Sequence, residues 1–155
     1  MTALKERVSN TDQQDQTTQR ILVVDDENSI SELIATSLKF VGFDVRTASS
    51  GAQALQIAQT AHNQGKNVVG VLISGRPLIL GTSLGYFDSF VAAWLPGTEG
   101  GNGISDVLFG DFDFTGTLSF TWPKDLSQVG YTSNRSDYDE LIVLYPFGYG
   151  LTYQD

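Results

Sequence analysis

A chain of 155 residues is long enough for one ordinary domain with a real core and short for two. Its formal net charge of −9, with no window rich in Lys or Arg, argues against neutralising a row of phosphates and so against a nucleic-acid partner. Cysteine is absent, which excludes disulfides and thiolate metal sites, leaves packing alone to hold the fold, and suits a reducing cytoplasm.

Residues 1–19 are almost all polar, with Asn10, Asp12, Gln13, Gln14, Asp15 and Gln16 close together. They bury too little to offset their ordering entropy, so a disordered leader is expected there. The start lacks the charged-then-apolar order of a secretory signal and no apolar run reaches bilayer length, so a cytoplasmic location without membrane contact is expected.

Order should begin at residues 21–24, a short β-branched run ending in acids, the pattern of a parallel strand buried on both faces. Ile30, Leu33, Ile34, Leu38 and Val41 then recur at helical spacing. Ser29 and Glu32 stand at capping-box spacing, and Gly42 can supply a left-handed stop. Phe43, Val45 and Thr47 alternate with Asp44 and Arg46, which predicts a half-exposed second strand. Ser50 and Gln53 cap a second predicted helix carrying Ala54, Leu55, Ala58 and Ala61, ended near His62 and Gly65.

Further strands are predicted at 68–73, 90–95 and 118–122, with a helical face at Ile104, Val107 and Leu108. The alternation implies right-handed crossovers and a doubly wound sheet. The expectation is therefore α/β: a flavodoxin-like three-layer α/β/α sandwich of about five mostly parallel strands, a single domain over 20–155. From Lys124 onward Tyr, Gly and Pro crowd the sequence. Residues 145–151 are too aromatic to be left in water and should pack on a helix or a sheet edge.

Two family resemblances attach to these segments. Ile21-Leu-Val-Val-Asp-Asp-Glu-Asn28, Leu38-Lys-Phe-Val-Gly-Phe-Asp-Val45 and Ser50-Gly-Ala-Gln-Ala-Leu55 resemble the first third of a bacterial response-regulator receiver, over roughly 20–57. From about Gly65 the chain resembles the carboxyl-terminal α/β domain of family 3 glycoside hydrolases, the β-glucosidase type. The motifs are Leu72-Ile-Ser-Gly-Arg-Pro77, Ala92-Ala-Trp-Leu-Pro-Gly97, Glu99-Gly-Gly-Asn102, Asp106-Val-Leu-Phe-Gly110 and Tyr145-Pro-Phe-Gly-Tyr-Gly-Leu151. Together the resemblances imply an engineered chimera, receiver-derived over 20–60 and hydrolase-derived over 61–155, without native catalytic or phosphotransfer activity. The alternatives are a degenerate carbohydrate-associated domain of a family 3 glycoside hydrolase and a receiver pseudo-domain with residual divalent-metal binding.

The receiver resemblance implies that Asp25 and Asp26 hold Mg2+ beside a third aspartate ending the third strand, yet residues 68–77 contain no carboxylate. The phosphoryl acceptor is missing. Asp25 and Asp26 thus read as acids left at the strand end, one of them capping the following helix, or alternatively as a weak Mg2+ site. No other cofactor is expected, since Asp25-Asp-Glu27 would repel a flavin phosphate.

The hydrolase resemblance places the nucleophile on a separate barrel domain and the acid/base glutamate upstream of Ser74-Gly-Arg-Pro77. Glu99 lies in the wrong motif, so no catalytic residue is assigned. Arg76 and Trp94 suit a sugar subsite, but both Trp94 and Trp122 fall in predicted strands and are expected in the core.

Asp111-Phe-Asp-Phe-Thr-Gly116 starts like a calcium loop but meets Trp122 at the twelfth position. Glu99-Gly-Gly-Asn-Gly103 has no phosphate-binding lysine and reads as a tight strand-to-helix turn. His62 reads as a solvated helix-end residue, and Asn134-Arg-Ser136 as an exposed loop. No specific ligand is expected, and the chain should be a monomer or a weak homodimer.

Overall fold

A computed structural model describes residues 19–128 and 143–154. The expected leader, save Gln19, and Asn134-Arg-Ser136 lie outside the described residues. The fold is α/β, with parallel strands and alternating helices, and the chain divides into two compact units, Met1–Gln56 and Ile57–Asp155.

The first unit is a βαβ element: β1 (Arg20–Val24), α1 (Asn28–Phe40) and β2 (Asp44–Ala48), with α2 (Gly51–Asn63) starting within it. β1 and β2 pair in parallel from Arg20 opposite Asp44 to Val24 opposite Ala48. Val23, Val45 and Ala35 form its buried cluster, with Ile21, Leu38 and Phe43 packed around it. Gly42 takes φ 104°, the left-handed stop expected of it, while its N–H donates to the Lys39 carbonyl.

Three expectations need correction here. Val24 is 45% exposed, so β1 is not buried on both faces. The apolar positions of α1 turn largely outward: Ile30, Leu33, Ile34 and Val41 are exposed, while Ser31 and Ala35 face the core. Two strands less than 5 Å apart offer a helix a surface only one narrow stripe wide, and small residues let the helix sit close to it. The Ser29–Glu32 capping box does not form either. The helix is preceded by Glu27, to whose Oε1 the Ser29 hydroxyl donates at 2.7 Å. At α2 the expected pair does form, with Gln53 N–H donating to Ser50 Oγ at 3.3 Å and Gln53 Oε1 accepting the Ser49 N–H at 2.9 Å.

The second unit contains β3 (Val69–Ile73), a 3-10 turn (Gly81–Tyr86), β4 (Ser89–Trp94), α3 (Gly100–Leu108) and a short 3-10 turn (Leu126–Gln128). β3 and β4 run parallel, tied at their start by Asp88, whose Oδ2 accepts the Val68 N–H at 2.7 Å. Gly70 is required in β3, because a Cβ there would lie 2.6 Å from the Phe90 ring that crosses it.

Among the described residues the strands form two separate two-stranded sheets, β1 with β2 and β3 with β4, and not the single five-stranded sheet expected from the alternation. Residues 118–122 are not a strand of either. Their hydrogen bonds go to the returning carboxyl segment: Leu118 N–H to Tyr149 O, Gly148 N–H to Leu118 O, Trp122 N–H to Tyr145 O and Leu144 N–H to Trp122 O. The aromatic carboxyl segment therefore pairs with an extended stretch outside both sheets, and not with a helix or a sheet edge as expected, and Tyr145 stacks on Tyr149 with ring centroids 4.5 Å apart. Farther along, the Tyr153 N–H donates to Asp113 Oδ1 at 2.9 Å, its hydroxyl reaches the Val107 carbonyl, and its ring meets Phe114. We call this paired arrangement the carboxyl clasp.

The glycines of residues 99–103 are also placed differently from expectation. Gly97, at φ 71°, makes the turn, whereas Gly100, Gly101 and Gly103 lie in the first turns of α3. Gly100 is buried under Pro96, whose Cβ would stand 2.4 Å from any added methyl. No described helix is long and apolar enough to cross a membrane.

Candidate functional site

The two motifs Ser74-Gly-Arg-Pro77 and Ala92-Ala-Trp-Leu-Pro-Gly97 meet at the carboxyl ends of β3 and β4, the end at which open α/β sheets ordinarily take ligands. Ser74 shapes the first: its hydroxyl donates to the Arg76 carbonyl at 2.8 Å and accepts the Arg76 N–H at 3.3 Å. The second carries an irregularity. The register slips between Leu72 and Ile73, so that Ile73 stands opposite Trp94 and Ala93 is skipped. At this bulge Trp94 adopts φ 56°, and it is the one non-glycine among the described residues with positive φ.

A bulge re-aims the side chain at its end, and a bulky residue in left-handed backbone conformation costs about 1–3 kcal/mol that its surroundings must supply. The Ser74 N–H donates to the Trp94 carbonyl at 3.0 Å and pins the distorted residue. The indole is flanked by Phe120, 6.3 Å away at 65°, and by Trp122, 5.9 Å away at 45°. Trp94 is thus half-buried rather than core. With Gly75, Leu95, Ser119 and Phe120 it lines an open depression of about 310 Å3.

Trp122 behaves as expected of a core residue. It is 3% exposed, and its indole N–H donates to the Leu78 carbonyl at 2.8 Å. Arg76 is exposed and is not among the residues lining the depression. Nearby in the clasp, burial and then the neighbouring Tyr149 push the Tyr145 phenol above its ordinary pKa. The five lining residues include no titratable side chain, so the depression can stack a ring and offer one hydroxyl but cannot itself move a proton.

The other candidate residues fall elsewhere. Asp25 is half-buried and Asp26 exposed at the end of β1, and Asp25 Oδ1 accepts the Glu27 N–H at 2.8 Å, closing the turn that leads into α1. Among the described residues no group of three or more His, Asp or Glu is gathered for a metal. Asp113 of the calcium-like stretch is engaged by Tyr153. His62 is exposed, its ring 6.4 Å from that of Tyr86. Glu99 is exposed just before α3.

Asp25→Ala is expected to lower the stability of the β1–α1–β2 unit by about 1 kcal/mol, whether or not Mg2+ is added. Urea midpoints measured with and without Mg2+ check this, and a loss seen only in the presence of the metal would mean that Asp25 binds it.

Fold and site together define an α/β domain with a ring-faced depression at the carboxyl ends of its parallel strands. The chain belongs to the glycosyl hydrolase family 3 C-terminal domain family, whose sequence model matches residues 2–153. It is 39% identical over 108 residues to a periplasmic beta-glucosidase of Salmonella typhimurium, covering 57% of this chain and 14% of that protein. It is 41% identical over 98 residues to a xylan 1,4-beta-xylosidase of Xylanibacter ruminicola, covering 57% and 11%. Among solved structures it is similar to an exo-1,3/1,4-beta-glucanase from a Pseudoalteromonas species, with a TM-score of 0.60, 34% identity, and coverage of 77% of this chain and 20% of that one. The chain therefore spans about a seventh of the length of the first of these relatives.

The two-parent reading of the sequence is corrected by this match. One family model runs through residues 20–57 together with the rest, so neither an engineered chimera nor a receiver origin is supported. A strand ending in acids, a helix and a glycine stop are features of α/β units generally, and three such segments in order do not identify one family.

Proposed function

We propose that this chain serves as the carboxyl-terminal α/β portion of a family 3 glycosidase, carrying a sugar-facing surface and not the bond-cleaving groups. The carrying observation is the family match over residues 2–153, made by a chain that spans only 11–20% of the enzymes compared above. The names of those enzymes, a beta-glucosidase, a beta-xylosidase and a beta-glucanase, support β-linked glucosides or xylosides as the substrate class.

Hydrolysis of such bonds requires two carboxyl groups on opposite sides of the linkage, about 5–5.5 Å apart in retaining enzymes, and needs no cofactor. The depression at Trp94 supplies a surface for a ring but no carboxyl group. Its role is then to hold part of a sugar while carboxyl groups from the rest of such an enzyme cleave it. The exposed apolar side chains of α1, with Phe40 at 91%, favour weak self-association of the chain on its own. A chain without thiols folds alike in reducing and oxidising surroundings, so the periplasmic relative's compartment suits it as well as the cytoplasm.

Incubated alone with 4-nitrophenyl β-glucoside and 4-nitrophenyl β-xyloside, the chain is expected to release nitrophenol no faster than buffer. Turnover that tracks the purified chain through successive columns would overturn the non-catalytic assignment.

A further inference from the structure

We propose that Asn102 and Gly103, in the first turns of α3, form a site of spontaneous backbone modification, at which the Gly103 nitrogen cyclises onto the Asn102 side chain, expels ammonia and leaves aspartate or isoaspartate. The site is independent of the sugar-facing surface and of the function proposed above.

The chemistry needs an asparagine followed by a residue whose amide nitrogen is open to the preceding side chain. Among the six asparagines of the chain Asn102 alone precedes glycine; the others precede Thr, Ser, Gln, Val and Arg. Asn102 and Gly103 are both exposed. Beyond the helix's own backbone nothing lies within 4 Å of where a Gly103 Cβ would stand, so neither a side chain nor a neighbour shields the nitrogen.

An intact helix holds that nitrogen away from the side-chain carbon, and the start of α3 must open for the ring to close. Opening is cheap there. Gly100, Gly101 and Gly103 are poor helix formers, Glu99 at the N-cap makes no side-chain hydrogen bond to the helix, and no acid stands in the first turn. A further contact favours the reaction itself. The Ser105 hydroxyl donates to the Asn102 carbonyl oxygen at 2.8 Å. This oxygen belongs to the same peptide group as the Gly103 nitrogen and takes up negative charge when the nitrogen gives its proton to hydroxide. A hydrogen-bond donor placed at that oxygen stabilises the charge. The contact spans only three residues, so the rotating hydroxyl can follow the carbonyl as the turn opens.

The nitrogen attacks Cγ of Asn102: the N–Cγ bond forms, the Cγ–Nδ2 bond breaks, and ammonia leaves with a proton from water. Water then opens the cyclic imide at either carbonyl. Opening at Cγ gives aspartate on an unchanged main chain, and opening at the backbone carbonyl gives isoaspartate, whose main chain is one carbon longer. Their effects on α3 are opposite. Aspartate brings a negative charge to the positive end of the helix and steadies it. Isoaspartate breaks the helical repeat two residues beyond Gly100, which lies buried under Pro96.

The test ages the intact chain for several days in mildly alkaline buffer. Digestion and mass spectrometry follow the exchange of amide for acid, and isoaspartate is counted by enzymatic methyl transfer from S-adenosylmethionine. Asn102 is expected to convert several times faster than any other asparagine, and the aged chain, more negative than its formal −9, to elute later from an anion exchanger. Gly103→Ala should slow conversion by more than an order of magnitude, because the methyl group crowds the nitrogen and steadies the helix.

Ser105→Ala should slow it severalfold without changing hydrogen exchange at residues 100–104, which separates lost charge stabilisation from altered fraying. Exchange at the same amides should quicken in the isoaspartate-rich aged chain and slow in Asn102→Asp. Conversion at Asn102 no faster than at the other asparagines overturns the proposal, as does an unchanged rate in Gly103→Ala. An unchanged rate in Ser105→Ala overturns the part given to its hydroxyl.

Discussion

Trp122→Ala is expected to destabilise the second unit by about 3–5 kcal/mol, a large share of the roughly 5–15 kcal/mol that holds an ordinary domain together. Trp122 is one of only six buried hydrophobic residues among those described, and by far the largest of them. Its removal leaves a cavity, takes one ring from the side of Trp94, and strips the Leu78 carbonyl of the indole N–H that satisfies it. Trp122→Phe retains most of the packing and loses only that donor, so its cost should be about 1–2 kcal/mol. Urea denaturation followed by far-ultraviolet circular dichroism separates the two. Equal midpoints for Trp122→Ala and the parent would show that the indole is not the anchor of this unit.

Most elements were legible in the sequence because their periods are local. The run at 68–73 became β3 at Val69–Ile73, and the run at 90–95 became β4 at Ser89–Trp94. Gly42 and Gly65 mark helix ends with φ 104° and 68°, which follows from their lack of a Cβ. Partnership between elements was far less legible. Alternation at 118–122 announces an extended backbone but carries no information about which neighbour takes its hydrogen bonds, and those went to the clasp instead of β4. Depth of burial was equally obscure. Leu33 and Val41 recur at helical spacing, yet they are 69% and 67% exposed, because the first unit's core packs on Ala35 and Leu38 instead.

The site was half legible. Arg76 and Trp94 suit a sugar subsite by residue type, but a tryptophan in a predicted strand is more often core, and nothing in residue identity discloses that Trp94 sits at a register slip and Arg76 outside the depression. The bulge arises from how β3 and β4 pair, and the positive φ at Trp94 is its consequence. Asp25 and Asp26 show the opposite difficulty. Two adjacent acids after a strand look the same whether they close a turn into a helix or hold a cation, and the hydrogen bond from Glu27 to Asp25 is visible only in three dimensions. A family assignment drawn from such a segment inherits its ambiguity, which is why the match over residues 2–153 overrides it.

Gly150→Ala is expected to cost about 1–3 kcal/mol, although it adds a single methyl group at an exposed position. The added Cβ would stand 2.6 Å from the Gly116 carbonyl oxygen and 3.2 Å from Thr117 Cγ2. A carbonyl oxygen in the backbone cannot swing aside as a flexible side chain does. The carboxyl segment must lift, and it lifts beside the two bonds that join Leu118 to Gly148 and Tyr149, both 2.8 Å long. Because the same clasp continues to the Trp122–Tyr145 bridge, loosening at Gly150 should spread to the residues that position Trp122 and, through its ring, Trp94. Gly85→Ala is the matched control, since no atom lies within 4 Å of a Cβ there. It should be neutral or stabilise slightly, by restricting the unfolded chain. Hydrogen exchange at the Leu118 and Trp122 amides reads the difference directly. Faster exchange in Gly150→Ala alone is expected, whereas identical rates in both variants would mean that the close approach of Gly150 to Gly116 does not hold the clasp shut.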